Sequence, residues 1–489
     1  MEKTLPLDPA LAEAQIKSVT SNSKDVVKGS IFVAIEGSVF DGHKFMDEAL
    51  MKGASAVVVK KGRLKFSGRK NIIETKDTRK ALSVIAKNFY HSPSDKLKTV
   101  GITGTNGKTT TSYLLESIFK KEGIPCGVLG TIEYRLGDGI AISAARTTPD
   151  SIEINKMLDQ MVKRDLKAAI MEISSHALDQ KRVDDISLDA AVFTNITHEH
   201  LDYHGNLENY FKSKARIFSN IKQNGFAVIN ADDKKAPCIK RMIRHKKITY
   251  SLRKSASVTA AIESVTADGS FFSVRIGKKN AFRVNTKLAG VHNISNILAA
   301  IAVSTGFKVN PCSIKEGVEA IKHVPGRLER IDNGSGIRIF VDYAHTPDAL
   351  MNVLKFLRRN KEGHIITVFG CGGDRDRAKR PVMGSVVQKY SDYFIITSDN
   401  PRNEDPERIA RGIENGIKRD MGNYSIILDR GKAIEAALRK AQKGDIVLIA
   451  GKGHEKVQII GEGRIPFDDK KVAREALAAA RSLSGAKQA

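Results

Sequence analysis

The chain has 489 residues, 41% of them hydrophobic, which is enough for real cores and, at roughly 150 residues per domain, for about three domains. No apolar run approaches the ~20 residues that span a bilayer; the longest, Ile297–Val303, reads as one face of a helix. The formal net charge is +25, yet the basic residues are scattered, with short clusters only at Lys240–Lys247 and Lys60–Lys70 and no tryptophan. That pattern argues against a nucleic-acid platform. It leaves two explanations open: attraction of a polyanionic small substrate and ATP, or a merely solvated basic face.

The N-terminus has no apolar signal core, so a cytoplasmic protein with no membrane span is expected. Cys126, Cys238, Cys312 and Cys371 form no CxxC pair or zinc pattern, and free, mostly buried thiols are expected. In chain order, the first segment, to about residue 92, carries strand-like runs at Ile31–Ile35 and Ala56–Val59 and a helical stretch at Phe45–Lys52. Ser92-Pro93-Ser94 reads as a linker. From about 95 to 325 short apolar runs (Ala169–Ile173, Ala190–Asn195, Ala227–Asn230) alternate with helical patterns, predicting a mostly parallel sheet. A β-rich insertion follows from Ile248 to about Leu288, then a helix opening at His292; Val324-Pro325-Gly326 punctuates the chain. Beyond it, strands at Ile337–Val341, Ile365–Phe369, Tyr393–Thr397, Ser425–Leu428 and Ile446–Ala450 predict a doubly wound sheet. Its ligands should sit where Gly370, Ser398 and Gly451 follow strands. The tail Ser482–Ala489 looks frayed.

The most informative stretch is Gly104-Thr105-Asn106-Gly107-Lys108-Thr109-Thr110, between an apolar run (Val100, Ile102) and a helical pattern (Tyr113, Leu114, Leu115, Ile118, Phe119). Glycines let backbone N–H groups turn onto phosphate oxygens, and the helix N-terminus adds partial positive charge. Lys108 can reach the terminal phosphates and the Thr109 hydroxyl can ligate magnesium. Strict Walker spacing fails, because Ile102 stands where the first glycine belongs. Glu172 ends one strand, and a second strand runs into Thr194-Asn195-Ile196-Thr197-His198-Glu199-His200. Carboxylate and imidazole groups there suit a nucleotide–magnesium site.

The order of motifs resembles the Mur ligases, the ATP-dependent family that adds amino acids to the peptidoglycan precursor. The matching pieces are GTNGKTTT at 104–111, TTPD at 147–150, MEISSHALDQKR at 171–182, TNITHEHLDYH at 194–204 and YFKSKARIF at 210–218. They continue with HNISNILAA at 292–300, PGRLE at 325–329, VDYAHTPD at 341–348, GCGGDRDRAKRP at 370–381, SDNPRNEDP at 398–406 and AGKGHE at 450–455.

The resemblance implies an α/β protein of three domains. These are a smaller N-terminal α/β domain for the uridine nucleotide (1–92), a central phosphate-loop ATPase domain with a mostly parallel sheet (93–325) and a C-terminal Rossmann-like domain bringing the amino acid (326–489). It implies the branch acting on UDP-N-acetylmuramoyl-L-alanyl-D-glutamate; a monomer is expected, though sequence leaves the oligomeric state open. The family's acyl-phosphate mechanism gives Lys108 the γ-phosphate, and Thr109, Glu172 and His200 magnesium. Lys214 matches a lysine carbamylated in this family, which would bind a second magnesium; the competing reading is a surface lysine on an amphipathic helix.

Gly104, Thr105, Asn106, Gly107 and Thr110 complete the implied ATP loop. Asn293 and Asn296 resemble adenine contacts, with helix capping as the alternative, Arg327 a phosphate contact, and Asp342 an ATP contact. Thr147, Thr148, Ser174 and Arg182 resemble contacts to the muramoyl peptide. Ser23 resembles a uridine contact, although Lys24 stands where the family commonly has arginine.

Asp399-Asn400-Pro401-Arg402 matches the pattern that accompanies meso-diaminopimelate in this family. That amino acid is lysine with a further carboxylate, which a guanidinium fork suits. Arg375 matches a second carboxylate-binding arginine, and Gly451 and Glu455 match positions around the far amino group. By residue type alone, Arg402 could instead form a surface salt bridge with Glu404 or Asp405. Rival functions are the same ligase using L-lysine, a folylpolyglutamate synthase, and a basic nucleotide-dependent nucleic-acid-binding protein.

Overall fold

The computed structural model describes residues 15–37, 40–63, 71–418 and 421–485. Their contacts group into two compact units, one of residues 1–103, 124–191 and 213–227, the other of 104–123, 192–212 and 228–489.

In the first unit, β1 (Ser18–Thr20), β2 (Ser30–Val33), β3 (Ala56–Lys60) and β4 (Ile72–Thr75) form a four-stranded parallel sheet. Side chains alternate across a strand. Accordingly Val57 and Val59 join Phe32, Met46 and Ala49 on one face, while Val58 and Val33 meet Leu82 on the other. Leu82 comes from the helix Thr78–Phe89, whose first turn is capped by the Asp77 carboxylate, 3.0 Å from the Lys80 N–H. The Ser92-Pro93-Ser94 stretch is no free linker. Pro93–Asp95 forms one 3-10 turn, and the fully buried Ser94 hydroxyl accepts from the Ser187 N–H at 3.2 Å.

The same unit holds β5 (Lys98–Thr103), β6 (Cys126–Leu129), β7 (Glu133–Arg135), β8 (Ala141–Ser143), β9 (Ala168–Glu172) and the start of β10 (Leu188–Phe193), in the order β10-β5-β9-β6-β7-β8. β5, β9 and β6 are parallel. β9 is buried along its whole length, as its apolar sequence requires of a strand covered on both faces. β11 (Ile221–Asn230) passes from the first unit into the second.

In the second unit, β12 (Lys246–Ser251), β13 (Val258–Thr266), β14 (Gly269–Ile276) and β15 (Lys279–Thr286) realise the expected β-rich insertion, with β13-β14-β15 an antiparallel meander. The helix Val291–Gly306 that follows buries nearly every residue from Asn293 to Ser304. Ile297–Val303 is therefore apolar all round rather than one face of an amphipathic helix.

The C-terminal sheet comprises β16 (Glu329–Ile331), β17 (Arg338–Asp342), β18 (Ile365–Phe369), β19 (Tyr393–Ile396), β20 (Tyr424–Ile426) and β21 (Ile446–Ala450), in the order β16-β17-β21-β18-β19-β20. Only β16 runs antiparallel. Phe340, Phe369, Phe394 and Leu448 face one helical layer, and Ile339, Val368, Ile395 and Val447 the other. A short hairpin, β22 (Val457–Ile460) and β23 (Gly463–Pro466), precedes the helix Asp469–Gly485, so Ser482–Gly485 is helical rather than frayed and only 486–489 lie outside the described residues. Of the four free cysteines only Cys371 is buried; Cys312 is exposed and the other two are half-buried.

Candidate active site

The loop after β5 is shaped by two glycines with positive φ, Gly104 at +149° and Gly107 at +90°. A Cβ on Gly104 would lie 1.9 Å from the Thr194 hydroxyl, and one on Gly107 2.2 Å from Asn296 Oδ1. The segment after β10 cradles the loop. Asn195 accepts from the Thr105 N–H through its carbonyl and from the Asn106 N–H through Oδ1, both at 2.9 Å. The Thr194 hydroxyl and Asn195 Nδ2 donate back to the Asn106 carbonyl at 2.6 and 3.0 Å. Lys108 begins the helix Lys108–Lys121, and its ammonium donates to the Gly104 and Thr105 carbonyls at 2.8 and 2.9 Å. The cation is thus held against the loop's own carbonyls.

Residues distant in sequence converge on this loop within the second unit. Arg327 Nη2 donates to the Thr109 hydroxyl at 3.2 Å, its guanidinium 4.5 Å from the Tyr343 ring centroid. Asn106 Nδ2 donates to Asp348 at 3.2 Å. The Thr105 hydroxyl lies 3.2 Å from the Tyr210 phenol, which donates to Glu199 at 3.4 Å, and Glu199 meets His345 Nε2 at 3.2 Å. Burial alone would raise the Glu199 pKa. The His345 hydrogen bond and the charges of His200, His345 and Lys108 outweigh it and hold the carboxyl well below its usual range. His200 has left-handed backbone and stands 3.7 Å from Glu199.

Asp342, buried at the end of β17, accepts from the Leu328 and Ala344 N–H groups at 2.5 and 2.7 Å; burial raises its pKa against the pull of Arg327. Asn293 and Asn296 do not cap their helix. Gly290 is the cap, and Asn293 Nδ2 donates to the Ala289 carbonyl at 2.8 Å, leaving Asn296 against Gly107.

In the first unit, Glu172 is almost fully buried at the end of β9, accepting from the Thr131 N–H and hydroxyl at 3.1 and 2.7 Å. The Thr147 hydroxyl lies 3.2 Å from that of Thr131, close enough to donate to it. The Thr148 hydroxyl donates to the Glu172 carbonyl at 2.9 Å, lies 3.3 Å from Ser174 Oγ and accepts from the Ser174 N–H at 3.0 Å. Arg182 Nη1 donates to the Thr148 carbonyl at 2.9 Å and the rest of its fork to Gln180. Lys214, on the helix Leu207–Ala215, is 1% exposed, so it is not a surface lysine. Ser23 is buried in a 3-10 turn, its carbonyl accepting from the Lys52 ammonium at 2.9 Å.

The hydroxyl of Thr109 and the carboxylate of Glu172 are oxygen donors of the kind magnesium takes. Lys214 as an ammonium is no ligand and becomes one only as a carbamate.

A third group of residues lines the carboxyl edge of the C-terminal sheet. Arg402 adopts φ +53°, a strained conformation fixed by its neighbours. Its N–H donates to the Ile459 carbonyl at 3.1 Å and its carbonyl accepts from Gly461 at 2.7 Å, both in the β22–β23 hairpin. Its guanidinium donates to the carbonyls of Gly373 and Asn400 at 2.7 and 3.5 Å. The salt bridge with Glu404 or Asp405 does not form; Glu404 is taken by Arg380 and Arg377.

Desolvation lowers the Arg402 pKa, as does Arg375 nearby, against the pull of Asp399, Glu455 and Asp374. The fully buried Lys452 ammonium donates to Asn400 Oδ1 and Glu455 Oε2, each at 2.9 Å, and Asn400 Nδ2 donates to the same Glu455 oxygen at 2.9 Å. Asp399 Oδ2 is buried without a partner among the described residues, and Pro401 is buried beside it. Gly451, at φ +115°, leaves room for that oxygen, since a Cβ there would lie 2.5 Å from it.

Glu199 entered the sequence reading only within the carboxylate and imidazole cluster at 194–200, and Asn195, Tyr210, His345 and Lys452 were given no role of their own. All five stand inside the quoted motifs, so each motif carried more of the site than the residues singled out from it.

Among the described residues, no helix is long and apolar enough to cross a membrane. Three family models match in chain order: the Mur ligase family catalytic domain at 15–90, the Mur ligase middle domain at 102–304 and the Mur ligase glutamate ligase domain at 326–453. A relative from Geobacillus kaustophilus, named UDP-N-acetylmuramoyl-L-alanyl-D-glutamate--2,6-diaminopimelate ligase, is 42% identical over 470 residues, covering 94% of this chain and 95% of its own. One of the same name from Geobacter metallireducens is 42% identical and covers 96% of this chain and 95% of its own. A solved structure of a protein so named superposes with a TM-score of 0.68 at 34% identity, covering 96% and 97% of the two chains. A folylpolyglutamate synthase from Mycobacterium tuberculosis, at 16% identity and TM-score 0.62, covering 83% of this chain and 94% of its own, shares the fold alone. With three domain models in order and close relatives along almost its whole length, the chain belongs to the Mur ligase family of ATP-dependent ligases.

Proposed function

We propose that the chain joins meso-diaminopimelate to the D-glutamate γ-carboxylate of UDP-N-acetylmuramoyl-L-alanyl-D-glutamate, a cytoplasmic step of peptidoglycan precursor synthesis. Residues 1–92 take the uridine nucleotide with Ser23, residues 93–325 take ATP, and residues 326–489 bring the amino acid. Thr147, Thr148, Ser174 and Arg182 receive the muramoyl peptide through hydroxyl and guanidinium donors.

A γ-carboxylate oxygen attacks the γ-phosphorus of ATP, the bond to ADP breaks, and an acyl phosphate forms. The neutral amine of diaminopimelate attacks the acyl carbon. The tetrahedral intermediate loses the amine proton and expels phosphate, leaving the amide. Lys108 and the loop N–H groups offset charge on the transferred phosphoryl group, with Arg327 beside them. Asn293, Asn296 and Asp342 hold the nucleotide. Thr109, Glu172, His200 and a carbamylated Lys214 would hold magnesium, which when bound neutralises phosphate charge.

The observation that carries the choice of amino acid is Arg402. Its guanidinium rests on two main-chain carbonyls with no carboxylate in ion-pair range among the described residues, next to the Asn400–Lys452–Glu455 network. A substrate with a distal carboxylate supplies the missing anion, and Arg375 can share it. L-Lysine cannot. The test is a ligation assay with UDP-N-acetylmuramoyl-L-alanyl-D-glutamate, ATP and either amino acid. Diaminopimelate should be consumed with release of ADP and phosphate; equal or better use of L-lysine refutes the reading.

A further inference from the structure

Arg430 and Asp469 form an ion pair with no exposed side-chain surface, Nε to Oδ1 and Nη2 to Oδ2 both 2.7 Å. Such a pair gives up the hydration of both ions, and apolar side chains of the same volume usually stabilise a core as well or better. Stability alone is therefore a poor reason for it. Arg430 opens the helix Arg430–Lys440 and Asp469 opens the helix Asp469–Gly485; neither lies in a motif described above.

The guanidinium also reaches the main chain. Nη2 donates to the Ala450 carbonyl at 3.0 Å and Nη1, at longer range, to the Ser398 carbonyl at 3.5 Å. Those two carbonyls are the roots of the two loops at the amino-acid site. Ser398 leads into Asp399–Arg402, and Ala450 into Gly451–Glu455. The loops touch again above this point, where Asn400 meets Lys452 and Glu455 and where Asp399 Oδ2 packs over Gly451. One buried cation thus grips both loops from below, and Asp469 fixes its orientation by occupying the other edge of the fork.

We propose that Arg430, held by Asp469, is a positioning residue for the amino-acid site. It pins the roots of the two loops so that Arg402 on one and Glu455 on the other stand at a fixed separation, matched to the distance between the end groups of the diamino acid. Its effect belongs to amino-acid recognition and not to ATP. The inference rests on the reading of these loops as the amino-acid site.

The full-length enzyme is assayed for KM with meso-diaminopimelate, L-lysine and ATP, alongside thermal unfolding. The double variant Arg430→Met/Asp469→Leu removes the pair without stranding a buried charge, so it should unfold near the wild-type temperature. Loss of the grip should raise its KM for diaminopimelate by about tenfold or more, leave KM for ATP within about twofold, and narrow the preference over lysine. Arg430→Lys keeps the charge but loses the fork and should show a smaller rise of the same kind. Unchanged KM for diaminopimelate in either variant overturns the proposal, as does a parallel rise in KM for both substrates. A wild-type enzyme that prefers L-lysine would instead refute the function proposed above, and the grip would then be judged on the KM for lysine.

Discussion

At Arg402 a guanidinium is held by two main-chain carbonyls, and among the described residues no carboxylate ion-pairs with it. Hydrogen bonds to charged groups contribute about 1.5–3 kcal/mol, so Arg402→Ala should raise KM for diaminopimelate roughly ten- to hundredfold while KM for ATP stays put. Steady-state kinetics with each substrate varied in turn checks this; normal diaminopimelate KM in the variant sinks the assignment. Lys214 is a different case, because its side chain is buried and not at the surface. Lys214→Ala should lose most activity, and Lys214→Glu, which restores a carboxylate there, should regain part of it. An active alanine variant would end the carbamate role.

Arg402 and Lys214 could be singled out because the DNPR run and YFKSKARIF match family motifs, while the burial of Lys214 was not legible. Arg430 and Asp469 were not, since a polar residue at a helix start 39 positions from another leaves no local trace. The fork joining them exists only once the sheet has brought the ends of β19 and β21, on either side of β18, within reach of one guanidinium.

At the scale of elements, the phosphate loop is the least forgiving piece. Gly107 combines φ +90° with an Asn296 oxygen where a Cβ would go. Left-handed backbone costs a residue with a Cβ about 1–2 kcal/mol before the collision is added. Gly107→Ala should therefore abolish measurable ATP binding by calorimetry, with a fold still formed by circular dichroism. Retained nucleotide affinity would show that the loop can shift and that its shape is not decisive.

Elements with continuous apolar runs, such as β9, β18 and β21, were legible, because a parallel strand buried on both faces must be apolar throughout. The β22–β23 hairpin that fixes the Arg402 backbone was not, because its residues are largely exposed and its hold on Arg402 is main chain to main chain. Nor was the packing of Ser92–Ser94, whose composition is that of a linker while Ser94 is fully buried.

For the molecule as a whole, the order of the motifs was enough to give the α/β class and family. What it did not reveal is how closely the phosphate loop is tied to residues more than 200 positions away, through Arg327 to Thr109 and Asp348 to Asn106. A buried histidine in the same unit gives folding a pH dependence. His454 sits beside Tyr343 with its Nδ1 buried and without a partner among the described residues. Burial, then the charges of Arg327, Lys470, His345 and Lys452, push its pKa down to about 3.

Between that value and the ordinary 6.5 the unfolded chain binds a proton that the folded chain refuses. Stability from this group is therefore full above pH 6.5 and is lost as the pH falls towards 3. The melting temperature should drop between pH 7 and pH 5, and His454→Gln should flatten that slope. An identical slope in the variant would remove His454 from the account.

The lack of an ion-paired carboxylate at Arg402, among the described residues, also bears on how such an enzyme could be blocked. On the proposed reading, a competitor aimed at this pocket has to bring its own anion to replace the one that diaminopimelate carries. A cationic mimic of the side-chain amine alone would leave the guanidinium unmatched. Acid isosteres that keep a negative charge at that end should therefore outperform larger neutral ligands. Resistance by loss of Arg402 would come at the expense of the enzyme's own substrate.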